Sequence, residues 1–193
     1  MFITIMTDQE IRNVNTSIEE IVSKFQQTPN VFLTEDDLRI HLCSNLLQHF
    51  GTKERTQDGD SSISLHAEVR WYGTGDLRTR SDIVLVEVSN LDVLRHNKMP
   101  SKGYGFNIPK GIIELKFRRP NGKPKSSFLA EIQDDLTKLS QLKQVFHDAK
   151  RPNQTAFWMV ILDKQSNLEN IPVADGIQII YKFSNRSHPQ MSI

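Results

Sequence analysis

The chain has 193 residues, 37% of them hydrophobic and 24% charged, with a formal net charge of +1. This describes a single globular domain with a core of its own and excludes a strongly basic coat, so any affinity for nucleic acid must come from a local patch. Cys43 is the sole cysteine, which rules out an intrachain disulfide and a cysteine-rich zinc site. The opening Met1-Phe2-Ile3-Thr4-Ile5-Met6 lacks the basic start and apolar length of a signal peptide, and no run approaches the roughly 18 apolar residues of a membrane span. A cytoplasmic protein without membrane contact is expected.

Residues 8–27 set Ile11, Val14, Ile18, Ile21, Val22 and Phe25 at helical spacing, predicting an amphipathic helix that Pro29 breaks. A second helix is expected from Thr34, its N-cap with Asp37 at the third helical position, to about Phe50, where Gly51 stops it. Its apolar stripe is Leu38, Leu42 and Leu46. Glu35 lies on that stripe, while Asp36 and Asp37 rotate away. Residues 52–62 read as a polar loop. From Ile63 the apolar residues Ile63, Leu65, Ala67, Val69 and Trp71 alternate with polar or aromatic ones, predicting a half-buried strand with that whole set on one face.

Gly73-Thr74-Gly75-Asp76 reads as a turn, and the next strand is Arg80-Ser81-Asp82-Ile83-Val84-Leu85-Val86. Residues 89–109 are irregular, with a weak helical pattern over 91–96. A further strand follows at Gly111-Ile112-Ile113-Glu114-Leu115-Lys116-Phe117. Residues 127–147 form the strongest helix, with Phe128, Ile132, Leu136, Leu139, Leu142 and Phe146 on one side. Asp135 falls on that side and reads as a structural partner of Lys138 or Lys143. The almost unbroken apolar run over 155–162 predicts a strand buried on both faces, and a last strand spans 176–183.

Side chains alternate along a strand, so Ile112, Glu114 and Lys116 share a face. Asp82 is expected on the face of Val84 and Val86. If the two strands pair, Asp82 and Glu114 aim two carboxylates at one point with Lys116 beside them. Hard oxygen donors of this kind suit Mg²⁺, and the lysine is placed to orient or deprotonate an attacking water. Residues 102–125 carry seven basic residues and one acid, Glu114, a local excess that favours a polyanion. Nucleophilic serine chemistry lacks its Gly-x-Ser-x-Gly, a phosphate-cradling loop lacks its Gly-x-x-x-x-Gly-Lys, and the six histidines show no paired spacing for zinc.

The order helix, strand, strand with Asp82, strand with Glu114-Leu115-Lys116, helix, buried strand resembles the PD-(D/E)XK nuclease superfamily. That family opens its second core strand with an aspartate and carries (Asp/Glu)-x-Lys on the third. Its proline before the aspartate is replaced here by Ser81. The resemblance implies an α/β, restriction-endonuclease-like core in α-β-β-β-α-β order, a central mixed sheet flanked by helices. One domain would cover 1–193, with its core at 34–163, an extra N-terminal helix at 8–27 and an additional strand at 176–183. It further implies a metal-dependent deoxyribonuclease in which Asp82, Glu114 and the Leu115 carbonyl ligate Mg²⁺, with Mn²⁺ as a substitute. Lys116 would position the attacking water and Glu35 would hold a ligand water or a second metal. Arg80, Arg118, Arg119, Lys123 and Lys125 would contact the phosphates of DNA, which gives affinity without sequence readout. Specificity would come from loops, a homodimer or a protein partner. The alternative is an inactive nuclease-like module that binds nucleic acid or a protein.

Overall fold

The structure is a computed structural model that describes residues 6–71, 79–96, 109–148 and 155–184. Helix α1 covers Asp8–Gln27, started by a capping box between Thr7 and Glu10. Helix α2 covers Glu35–Phe50, and its Thr34 cap and Asp37 form a second capping box. Each box satisfies orphan N–H groups of the first turn. At Gly51 a Cβ would stand 2.4 Å from the Leu47 carbonyl oxygen, so glycine lets the chain turn away there. The polar loop holds one small ribbon, β1 Glu54–Arg55 against β2 Ser61–Ser62.

The main strands are β3 Leu65–Arg70 and β4 Arg80–Val86, followed by the four-residue helix α3 Val93–His96. Then come β5 Pro109–Arg118, helix α4 Lys125–Asp148, β6 Ala156–Asp163 and β7 Ile177–Phe183. The sheet order is β3-β4-β5-β6-β7. Strands β3, β4 and β5 run antiparallel, whereas β6 lies parallel to β5 and β7 parallel to β6. A parallel pair needs a long crossover, and α4 supplies it between β5 and β6. The fold is therefore α/β with a mixed five-stranded sheet. The turn expected over 73–76 and, within the irregular 89–109 stretch, residues 97–108 lie outside the described residues.

The helices cover both faces. Ile113, Leu115, Trp158, Val160 and Leu162 pack with the apolar stripes of α1 and α2. Ile112, Phe157, Met159 and Ile161 pack with Phe128, Ile132, Leu136 and Leu139 of α4. Two covered faces explain why β6 reads as one apolar run rather than as an alternation. Among the described residues no helix is long and apolar enough to cross a membrane.

Strand β3 departs from expectation. Leu65 joins the α1/α2 core, yet Val69 and Trp71 join the α4 core, so the predicted single apolar face is divided between layers. The change occurs at Glu68, whose φ is 56°, a left-handed value that few non-glycine residues adopt. The β3/β4 ladder pairs Ala67 with Ile83 and Val69 with Ser81 but omits Glu68 opposite Asp82.

Candidate active site

The β4/β5 ladder runs from Val86 and Pro109 to Ile83 and Ile113 and records no further pair. One step on, that register sets Asp82 opposite Glu114. The Leu115 N–H donates to Asp82 Oδ2 at 2.8 Å, so a side chain enters the space between the strands. Asp82 Oδ1 accepts from Arg39 of α2 at 2.9 Å. The expectation that Asp82 simply shares the face of Val84 and Val86 is thereby corrected: its carboxylate sits in the gap and reaches toward α2. The broken pairing on both sides, at Glu68 and beyond Ile83, frees it to turn. Leu115 offers its N–H and its carbonyl on the same edge of the strand, so its carbonyl faces this gap too.

Glu114 points to the α4 layer and is 1% exposed. Its Oε2 accepts from Lys138 Nζ at 2.7 Å, while its buried Oε1 has no partner among the described residues. Lys138 also donates to the Arg80 carbonyl at 3.1 Å and stands 3.3 Å from Asp135. Asp135 in turn pairs with Lys116 at 2.7 Å. On the other side, Glu35 accepts from the Phe117 N–H at 3.2 Å, and Arg39 ties Glu68 to Asp82 with 2.9 Å contacts to both. The strained backbone of Glu68 is held by this guanidinium and by Arg80, 2.6 Å away; strain of this kind concentrates at functional sites.

The electrostatics follow from burial and crowding. Burial pushes the Glu114 carboxyl up to about 8 despite Lys138, with Asp82 and Asp135 adding to the rise. Burial also raises Glu35, against the pull of Lys116. Burial favours the neutral amine of Lys116, but Asp135 and Glu35 outweigh it and hold the ammonium above its ordinary range. A lysine so held keeps its proton at neutral pH. Of the two roles expected for Lys116, orienting the water is the one that a retained ammonium suits.

Asp82, the Glu114-Leu115-Lys116 run and Glu35, three segments far apart in sequence, thus belong to one neighbourhood, with the Asp82 carboxylate held from the α2 side and that of Glu114 from the α4 side. Lys102 lies outside the described residues, and among those described several of the basic residues expected to meet DNA are instead paired within the protein. Arg118 is 2% exposed, forked onto Asp163 through Nε at 2.9 Å and a second bond from Nη2. It also donates to Ser166 Oγ at 2.9 Å. It offers no guanidinium to DNA, because the parallel register seats Arg118 beside Asp163. Lys110 pairs with Glu10 and Glu87 at the other end of β5. Arg80 is half-exposed and paired with Glu68, and exposed Lys123 is paired with Glu131. Arg119 and Lys125 are exposed. Arg119 and Lys123 line a cavity of about 390 Å³ that also contains Thr34, Glu35 and Phe117.

The expected Asp135–Lys138 pair is present, but sequence reasoning missed Arg39, Glu68, the contact of Lys138 with Glu114 and that of Asp135 with Lys116. The signal for Asp135 was present, as an acid on the apolar side of α4. Nothing local marks Arg39 or Glu68.

No protein-family model matches the chain, and neither a curated protein nor a solved structure does. The reading of the site therefore rests on its own geometry. Among the described residues no group of three or more carboxylate, histidine or cysteine side chains stands ready to hold a metal ion; Arg39 and Lys138 already engage Asp82 and Glu114. Even so, the donor set is compatible with a hard divalent cation. Glu114 Oε1 is a buried acceptor with nothing to accept from, and Asp82 is its strand-register neighbour. A cation there would satisfy an oxygen whose burial is otherwise costly.

Proposed function

We propose that this chain is a metal-dependent nuclease that hydrolyses phosphodiester bonds in DNA, on a restriction-endonuclease-like core. The observation that carries the reading is the placement of Asp82 and Glu114 one register step beyond the last β4/β5 pair, Ile83 with Ile113, with Lys116 two residues further along β5. The α-β-β-β-α-β order with α4 as crossover supports the same core.

In this reading Asp82, Glu114 and the Leu115 carbonyl hold Mg²⁺ or Mn²⁺. The ion supplies charge neutralisation at the phosphate and a more acidic bound water. Lys116, kept as an ammonium by Asp135, orients the attacking water and donates to a non-bridging phosphate oxygen as charge builds there. Glu35 accepts a hydrogen bond from a water on the α2 side. Arg119 and Lys125, the exposed cations after β5, contact the DNA backbone.

A second reading is favoured by one observation: both Asp82 oxygens and one Glu114 oxygen are already held by protein donors. A module that binds DNA or a protein without cutting would look like this. The experiment that separates them is cleavage of plasmid DNA with Mg²⁺, Mn²⁺ or a chelator. The nuclease reading expects cleavage with either ion, none with chelator, and none from Asp82→Asn. A folded parent protein that leaves DNA intact under all conditions supports the binding module instead.

A further inference from the structure

The site holds more carboxylates than cations. Glu35, Glu68, Asp82, Glu114 and Asp135 converge on it, against Arg39, Arg80, Lys116 and Lys138. Within that set Lys138 is placed unlike the other cations. Arg39 is fixed by a fork of carboxylates, with Asp36 at the solvent side. Lys116 rests on Asp135. Lys138 lies directly on the buried Glu114, at 2.7 Å from Oε2, while Oε1 of the same carboxylate goes unbonded. It also has two other acceptors already within reach, the Arg80 carbonyl at 3.1 Å and Asp135 at 3.3 Å.

Resting on the proposed metal site, we infer that Lys138 is a stand-in cation: its ammonium holds Glu114 Oε2 once that carboxyl is ionised, until a divalent cation displaces it toward Asp135. Two positive centres on the two oxygens of one carboxylate are only a few ångströms apart, and they repel strongly in a site shielded from water. The two therefore compete for Glu114. Displacement is inexpensive for Lys138 because it moves between acceptors it already touches and never sheds all its partners. The same movement reaches Lys116. Asp135 is shared between the two lysines, so an ammonium that shifts onto Asp135 loosens its hold on Lys116. Metal arrival and release of Lys116 toward the phosphate become one event. Lys138 is thus a positioning residue that sets metal affinity, through Glu114, and the availability of Lys116, through Asp135.

The test is Mg²⁺ titration by calorimetry, without DNA, on the parent, Lys138→Met and Lys138→Arg, each confirmed folded by circular dichroism. Removing the competitor is expected to tighten Mg²⁺ binding by roughly 10- to 100-fold, the span over which outer-shell partners shift metal affinity. Lys138→Arg keeps the charge and is expected to stay near the parent. A purely structural Lys138 predicts the reverse, since losing it would leave Glu114 disordered and binding weaker. If Lys138→Met does not fold, Lys138→Gln, which keeps a hydrogen-bond donor for Glu114, makes the same comparison. Mg²⁺ binding by the parent with no gain in the folded Met or Gln variant overturns the inference and leaves the nuclease reading intact. A parent and a variant that both bind no Mg²⁺ overturn the two together.

Discussion

Strand β5 carries two buried ion pairs four residues apart, and they are built in opposite ways. At Arg118 the charges are closed: one guanidinium, one fully buried Asp163, Ser166 as a further acceptor and the Phe128 ring 5.1 Å from the guanidinium carbon. At Glu114 the charges are open. One carboxylate, in the α4 layer where the β4/β5 pairing stops, shares Lys138 with Asp135 and keeps an oxygen with no partner among the described residues. Arg118 and Asp163 set one charge against one, so the pair is a fastening even though Arg118 Nη1 is buried with no hydrogen-bond partner among the described residues. An unbalanced cluster with a spare acceptor is poised for something that arrives from outside.

The comparison can be broken from either side. The largest effect is expected at the fastening. Asp163→Asn leaves a buried guanidinium without its counter-charge and should cost about 3–5 kcal/mol of stability, read as a lower urea midpoint, with Mg²⁺ affinity unchanged in the fraction that stays folded. A change in metal affinity would show that the two pairs are not independent.

Next is Lys116→Met, which keeps the apolar stem and removes the ammonium. DNA cleavage should fall roughly 10²–10³-fold, as for loss of one donor to a developing negative charge, while Mg²⁺ binding persists. Cleavage at the parent rate by a folded variant would return Lys116 to a structural role like that of Arg118.

The smallest effect concerns pH. Burial raises the Glu114 carboxyl from 4.5 to about 8, so between those values the folded chain binds a proton that the unfolded chain does not. Its contribution is full below pH 4.5 and is lost as pH rises toward 8, so metal-free stability should decline across that window. Saturating Mg²⁺ requires the ionised form and should flatten or reverse the decline. Glu114→Gln should remove the difference between the two conditions. Identical slopes with chelator and with Mg²⁺ would show that no cation reaches Glu114.

Much of the fold was legible because hydrophobic period and capping chemistry are local properties. Thr34 and Asp37 mark the start of α2, and the α4 stripe from Phe128 to Phe146 fixes which side is buried. The unbroken run of β6 likewise announces two covered faces. The motif itself was legible too, since strand alternation places Glu114 and Lys116 together. What stayed hidden depends on register and backbone twist. Glu68 sits in a regular alternation, and no residue type there announces a φ of 56°. Arg118 reads as one more cation in a basic run until the β5/β6 register supplies Asp163. Lys138 reads only as a candidate partner of Asp135 until Glu114 is brought to it.

The most direct test of the proposed Asp82–Glu114 metal site is equilibrium binding of Mn²⁺ followed by electron paramagnetic resonance, with Mg²⁺ as competitor. The account predicts that the parent binds Mn²⁺ in a form that Mg²⁺ displaces, and that folded Asp82→Asn and Glu114→Gln each lose it. Equal Mn²⁺ binding by the parent and both variants would contradict the claim, as would a folded parent that binds none.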